Sequence, residues 1–131
     1  MCPTRWTVRA GSLASTTANY DNIHLLWETF AHASSDTEMK ARIHGVESQM
    51  RTFWFFFCLM LSEMILHHTD KLSQTLQQPS LSSIEGHAVA MLTTKTFEGL
   101  WTDTNFDLFW QKNEKARDQL DIDEPQLARR H

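Results

Sequence analysis

Residues 39–64 read MKARIHGVESQMRTFWFFFCLMLSEM, and this stretch indicates the fold more clearly than any other part of the chain. Its apolar residues recur in alternating steps of four and three, which is the spacing of one buried helix face. They are Met39, Ile43, Val46, Met50, Phe53, Phe57, Met60 and Met64. This seam predicts a long core helix, with Trp54, Phe55 and Phe56 facing away from the seam and exposed.

The end of the seam predicts a change in the helix. Beyond Met64 the apolar stripe moves to a new set of positions, which indicates a kink or a different packing partner. That set is Leu61, Ile65, Leu72 and Leu76. A straight helix of ~40 residues would be ~60 Å long, so we expect an elongated bundle or a break.

The segment before the seam carries a weaker helical stripe from Trp6 to Phe30. It predicts one helix or two over about residues 7–33, with a bend or break near Asn19–Asn22. The following Ser35-Asp36-Thr37-Glu38 has the Ser-x-x-Glu form of a capping box, so a helix should begin there.

The segment after the seam contains a linker and two further helices. Gln77-Gln78-Pro79-Ser80 is the linker, because proline and short polar residues end a helix. Ser82-Ser83-Ile84-Glu85 is a second capping box and predicts a helix to about Leu100. Thr102 can cap another helix that runs towards Leu120.

Composition agrees with an all-helical chain. The 131 residues fit one domain, and only four glycines and three prolines interrupt them. The sequence therefore predicts an all-α fold, an elongated helical bundle over residues 1–120 with a disordered tail at 121–131. The apolar run 53–61 is far shorter than the ~20 residues that span a bilayer, and the N-terminus lacks the apolar region of a signal peptide.

Charge and motifs argue against several functions. The net charge of -4 is unlike the basic excess of autonomous nucleic-acid binders. Adjacent His67 and His68 point in different directions on a helix, so they do not converge on a metal. There is no phosphate-binding glycine loop and no nucleophile motif, and surface or capping roles suffice for Glu47, Glu63 and Glu85. We predict no enzyme activity, catalytic residue, metal, cofactor, small-molecule substrate or membrane partner.

Several segments together resemble a known family. Residues 2–10 read CPTRWTVRA, residues 41–50 ARIHGVESQM, residues 107–110 DLFW and residues 123–125 DEP. In order and spacing they resemble the hAT superfamily of DNA transposases, in particular the zinc-finger MYM-type protein 1-like group. The resemblance covers nearly the whole chain.

The resemblance implies a fold and a location in a larger protein. In this family a large helical insertion splits an RNase H-like domain, and the chain resembles that insertion. The three catalytic acids of the family lie on either side of the insertion, and none has a counterpart here. We therefore expect a non-catalytic fragment of a larger protein, in agreement with an Arg-Trp pair so close to Met1. Nuclear localisation also follows from the resemblance.

Arg5 and Trp6 are the nucleic-acid-binding residues that the resemblance implies, with weak binding expected of the chain itself. In related transposases the tryptophan of an Arg-Trp motif stacks on a flipped base, which replaces the stacking that the base loses. Arg5 would face phosphate. The alternative is that Trp6 begins the apolar stripe and packs in the core, which we favour for the isolated chain.

Some residues depart from the family pattern. Trp54 stands where a small polar or acidic residue is usual, and Cys58 and Ser62 stand where glycines are common. Bulky replacements of this kind strain close packing, and they are typical of a relic copy.

Two functions are compatible with these observations. The first is a transposase-derived helical fragment whose ancestor acted in DNA transposition and whose partner in the full-length context is DNA. The alternative is a helical protein–protein interaction module that uses the Met39–Met64 seam to bind a partner or to self-associate.

Overall fold

The computed structural model describes residues 5–125, with side chains from residue 9 onwards. Within these residues the chain is all-α, as predicted, and forms six helices and no strand. They are α1 (Arg5–Ala18), α2 (Tyr20–Ala33), α3 (Thr37–Met50), α4 (Phe53–Leu76), α5 (Ser83–Leu100) and α6 (Asp103–Leu120).

Side-chain caps begin four of the helices. The Ser82 hydroxyl accepts from the backbone N–H of Glu85, and the Glu85 carboxylate accepts from the Ser82 backbone N–H at 2.9 Å, so the second predicted capping box is confirmed. The Ser82 backbone N–H, and after it the Ser82 hydroxyl, donate to the Glu85 carboxylate and hold its pKa below the ordinary value. Thr52 caps α4 and Thr102 caps α6 in the same way, by accepting from the third following N–H.

The first predicted capping box is wrong by one residue. Asp36 is the N-cap of α3, and its carboxylate accepts from the Glu38 backbone N–H at 2.9 Å. A carboxylate placed beside the positive end of a helix is favoured there. The Ser34 hydroxyl meanwhile accepts from the Asp36 N–H at 3.2 Å and so shapes the turn before α3.

The predicted break between residues 7 and 33 lies at Asn19. Its side-chain amide donates to the Ser15 carbonyl at 2.8 Å and its backbone leaves the helical region before α2 begins. Asparagine competes for helix carbonyls in this way, which explains why it separates two helices.

The Met39–Met64 seam is divided between two helices that meet at an angle of 68°. The break lies at Arg51 and Thr52, because Thr52 adopts an extended conformation and caps α4. Of the two alternatives expected after Met64, a kink or a different packing partner, the structure shows no break, since α4 continues to Leu76, and α4 has α1, α5 and α6 as packing partners. The change of stripe beyond Met64 therefore belongs to an unbroken helix.

This break divides the molecule into two parts, a body and an arm. The body consists of α4 with α1, α5 and α6, while the arm is the hairpin of α2 and α3, which pack mainly on each other. The linker at 77–80 and the helices on either side of it lie where the sequence predicts them.

The core lies where the arm joins the body. Tyr20 and Met50 from the arm, Phe53, Phe56, Phe57 and Leu59 from α4, and Ile122 form its buried cluster. The prediction that Phe56 is exposed is wrong, since the residue is 1% exposed. Its ring packs on the Tyr20 ring, with their centroids 5.2 Å apart. Trp54 and Phe55 are 43% and 41% exposed, as expected. On the other side of α4, the Phe57 ring packs on the Phe109 ring of α6, with their centroids 5.3 Å apart.

The segment after α6 differs from the expected disordered tail over residues 121–125. Asp121 ends α6 in the left-handed region, with φ of 51°, which aspartate tolerates better than most residues. The chain then turns back, Ile122 is buried, and the Asp123 N–H donates to the Arg51 carbonyl at 2.9 Å. Residues 126–131 lie outside the described part.

Length and hydropathy decide whether a helix among the described residues is able to span a membrane. No single one is long and apolar enough to cross a bilayer, and only the bent pair α3–α4 satisfies both criteria when taken together.

Candidate functional site

Arg5 and Trp6 begin α1, but their side chains lie outside the described part of the chain. Arg129 and Arg130, which are also expected to contact DNA, lie entirely outside the described part of the chain. The role of Arg5 and Trp6 in contacting nucleic acid therefore stays a prediction.

The adjacent histidines of α4 pack on aromatic rings. His67 and His68 lie edge to face with ring centroids 5.7 Å apart, and His68 contacts Phe97 of α5 at 5.8 Å. In the part of the chain with described side chains, no three His, Cys, Asp or Glu residues are arranged to hold a metal ion.

A charged cluster surrounds Arg51, where the arm meets the body. Its guanidinium lies 3.2 Å from the Glu47 carboxylate, 3.1 Å from Glu28 and 3.4 Å from Asp121. These acids come from α3, α2 and the end of α6. The guanidinium therefore joins both helices of the arm to the last helix of the body.

Two carbonyls at the end of α3 are satisfied by groups that are remote in sequence. The Tyr20 hydroxyl donates to the Met50 carbonyl, and the Asp123 N–H donates to the Arg51 carbonyl. The last carbonyls of a helix lack partners within it, so these bonds cap α3. Burial raises the pKa of Tyr20 to about 12, and its hydroxyl stays a donor throughout the physiological range.

His24 lies one turn after Tyr20 and contacts its ring edge to face at 5.0 Å. Both ring nitrogens are buried and lack a hydrogen-bond partner. Burial, and then the charge of Arg51, lower the pKa of His24, against the opposing effect of Glu47, Asp21 and Glu28. An imidazole in this setting is neutral at pH 7. We refer to Tyr20, His24, Glu28, Glu47, Arg51 and Asp121 as the junction cluster.

A polar pocket opens beside the junction cluster. It has a volume of about 210 Å³, and Asp21, His24, Glu28, Arg51 and Asp121 supply its polar lining. The pocket joins the two parts of the molecule, so its shape depends on how the arm is attached.

An apolar groove lies at the other end of the arm, between the end of α2 and the start of α3. It has a volume of about 450 Å³ and is lined by Trp27, Phe30, Ala33, Ser34, Met39 and Ile43. Phe30 and Met39 are about half exposed. The indole N–H of Trp27 is buried without a partner. The seam residues Met39 and Val46 are thus only partly covered by the rest of the chain.

The body carries a second apolar surface around α6. Trp101 and Leu108 are largely exposed, and Phe106 is about half exposed. Trp101 and Phe106 also line a small apolar pocket of about 60 Å³ between α4, α5 and α6. The Trp54 ring lies near this surface and contacts Trp110 at 6.3 Å.

The junction cluster is not among the sites predicted from the sequence. The surface role expected for Glu47 is wrong, because its side chain is 14% exposed and pairs with Arg51. The spacing of Glu47 and Arg51 by four residues is a readable signal of a helical ion pair. Nothing in the sequence indicates that Glu28 and Asp121 reach the same guanidinium.

Comparison of the chain with protein-family models, with curated proteins and with solved structures finds no match.

Proposed function

We propose that this chain is the non-catalytic helical part of a hAT transposase-derived protein, with an ancestral nuclear role in DNA transposition. Its helices pack against other protein surfaces, and the chain carries out no reaction of its own. The segments at 2–10, 41–50 and 107–110 that resemble the family support the proposal, and an all-helical fold is compatible with it.

The exposed apolar surface is the observation that carries the packing of these helices against other protein surfaces. Among the described residues, the exposed large hydrophobic side chains outnumber the buried hydrophobic ones. Soluble monomers rarely expose contiguous apolar patches larger than a few hundred Å² unless the patch meets a partner. The apolar groove of the arm and the surface around Trp101 and Phe106 are both suited to covering by another protein surface.

The genomic sequence on either side of this reading frame tests the proposed origin. We expect it to encode two metal-binding acids upstream and a glutamate downstream, because two-metal strand transfer requires such a set. Flanking sequence that encodes an unrelated protein would contradict the transposase origin and leave the interaction module as the better interpretation.

The apolar groove of the arm favours the second candidate, a helical protein–protein interaction module. Grooves between two helices accept the apolar face of a third helix. The floor formed by Trp27 and Ile43 and the exposed walls formed by Phe30 and Met39 provide such a surface.

Removing the apolar walls of the groove should weaken self-association. We expect the wild-type chain to form concentration-dependent oligomers, and the double variant Phe30→Gln/Met39→Gln to shift towards monomer at equal concentration. The reason is that half-exposed apolar side chains drive association in water. Sedimentation velocity measures the shift, and circular dichroism checks that the helix content is retained.

Ile84→Gln is the matched control for the groove variant. Ile84 is 82% exposed but does not line the groove, so its replacement should leave most of the association in place. A wild-type chain that is strictly monomeric up to high concentration would contradict the role of the groove.

Binding to DNA should be weak and independent of sequence. At physiological salt we expect a dissociation constant of about 10⁻⁴ M or weaker, at the weak end of ordinary non-specific binding, because the chain has a net charge of -4. Arg5, Arg9, Arg129 and Arg130 are the expected contacts. Fluorescence anisotropy with two unrelated duplexes over a salt series measures the affinity.

Charge removal at the C-terminal end of the chain provides the control for the DNA measurement. Replacing Arg129 and Arg130 by Ala should weaken binding equally for both duplexes and flatten its dependence on salt, because each phosphate contact contributes to the slope. Tight, salt-resistant binding to only one duplex would show that the surface reads sequence.

A further inference from the structure

In the described part of the chain, the arm is attached to the body mainly at one end. It begins at Tyr20, returns at Met50, and packs elsewhere mainly on itself. The junction cluster lies at this end and supplies the polar contacts that join the two parts, namely the Arg51 ion pairs and the two bonds that cap α3. A change of charge in the junction cluster therefore acts at the hinge of the arm.

His24 is the group in the junction cluster that is able to change its charge near neutral pH. It faces Tyr20, Asp21 and Glu28 from its own helix, Glu47 from α3, and Arg51 from the break before α4. Asp121, from the end of α6, lines the same pocket. Glu28, Glu47 and Asp121 are paired with Arg51, whereas Asp21 has no such pair. The acids favour a proton on His24, and it is burial of the ring first, and then the charge of Arg51, that disfavours it.

A protonated His24 would also require solvent. Neither ring nitrogen has a partner in the folded arrangement, and both are buried. An imidazolium has two N–H donors, and leaving a charged donor buried without a partner is costly. Opening the arm would give both donors access to water.

We propose that the junction cluster is a pH-sensitive hinge, in which protonation of His24 loosens the arm from the body. Loosening separates Tyr20 and Met50 from the core side chains Phe56 and Phe53. It thereby exposes apolar surface at the base of the arm, in addition to the apolar groove at its tip. The proposal concerns the attachment of the arm and is independent of the origin of the chain.

The direction of the pH effect follows from the lowered pKa. The open arm has the ordinary pKa of about 6.5 and binds the proton more readily than the closed arm. The closed state is therefore fully stabilised above pH 6.5. It loses stability as the pH falls from 6.5 towards the lowered pKa of His24, and below that pKa no further loss occurs.

Hydrogen exchange of the whole chain between pH 7.5 and 5.5 tests the hinge. After correction for intrinsic rates, we expect amides of α2 and α3 to lose protection by up to about tenfold at pH 5.5, since this pH lies one unit below the ordinary pKa. Amides in the middle of α4 should keep theirs. A uniform loss in all helices, or no loss in the arm, would overturn the proposal.

His24→Phe and His32→Gln form the matched pair of variants. The first keeps an aromatic ring against Tyr20 and cannot take up a proton, so protection of the arm should become independent of pH in this range. The second removes an exposed histidine of the same helix, so the wild-type response should persist. An unchanged response in His24→Phe would overturn the proposal.

The titration of the wild-type histidine rings decides the question even if His24→Phe does not fold. In a heteronuclear NMR titration, the His24 ring should titrate below the ordinary histidine pKa of about 6.5, and the arm amide resonances should shift with the same midpoint as His24. A His24 ring that titrates at or above about 6.5 would overturn the proposal.

Discussion

Replacing Phe56 by Ala should lower the free energy of unfolding by about 3–5 kcal/mol, the usual cost of removing a buried phenyl ring. The ring is 1% exposed and contacts Tyr20 where the arm meets the body. Its removal leaves a cavity between α4 and the start of α2, and neither helix is able to close it without moving the other. Small domains have about 5–15 kcal/mol of stability in total, so this loss is a large part of it.

The neighbouring residue provides the control for Phe56→Ala. Phe55 is 41% exposed and lies on the same turn of α4, so Phe55→Ala has the same change of composition and of helix propensity. We expect it to cost less than half as much, because much of its ring is already in water. Chemical denaturation followed by circular dichroism compares the two, and equal losses would show that Phe56 is not in the core.

Replacing Ile122 by Ala should lower the free energy of unfolding by about 2–5 kcal/mol, the range for a buried isoleucine. The side chain is 7% exposed and belongs to the buried cluster, although it follows the last helix. Its position depends on the turn at Asp121 and on the bond from the Asp123 N–H to the Arg51 carbonyl. A chain that is disordered from residue 121 onwards would show no such loss.

Glu124→Ala is the control for Ile122→Ala. Glu124 is two residues further along the same segment and is exposed, so its replacement should change stability by no more than about 0.5 kcal/mol. The two variants measured by the same denaturation experiment separate burial of Ile122 from a general effect of altering this segment. Equal and small effects would contradict packing of residues 121–125 on the arm and the body.

The helices were predictable from the sequence because their signals are local. The capping box at Ser82 and Glu85, the Thr102 cap and the Pro79 linker each depend on hydrogen bonds or backbone restrictions within a few residues. The same is true of the break at Asn19, whose side chain competes for a carbonyl four residues earlier. Such features form independently of tertiary contacts with the rest of the chain.

The position of the break in the seam was not predictable from apolar periodicity. The stripe continues through Arg51 and Thr52 without interruption, since Met50 and Phe53 keep the spacing of a helix on either side of them. Thr52 is able to begin a helix as well as to continue one. The choice depends on Tyr20, Asp123, Glu28 and Asp121, which meet the end of α3. These four residues lie far from the break in the sequence.

The sequence by itself therefore determined the all-helical class, most of the helix boundaries and the exposure of Trp54 and Phe55, because periodicity and capping act over three or four residues. Only the tertiary structure decided that Phe56 is buried, that Ile122 belongs to the core and that His24 lies beside Arg51 at the hinge. Each of these depends on contacts between segments that are far apart in the sequence. Periodicity within one helix identifies a single apolar face, whereas α4 is covered on several sides, by α1, α5 and α6 as well as by the arm.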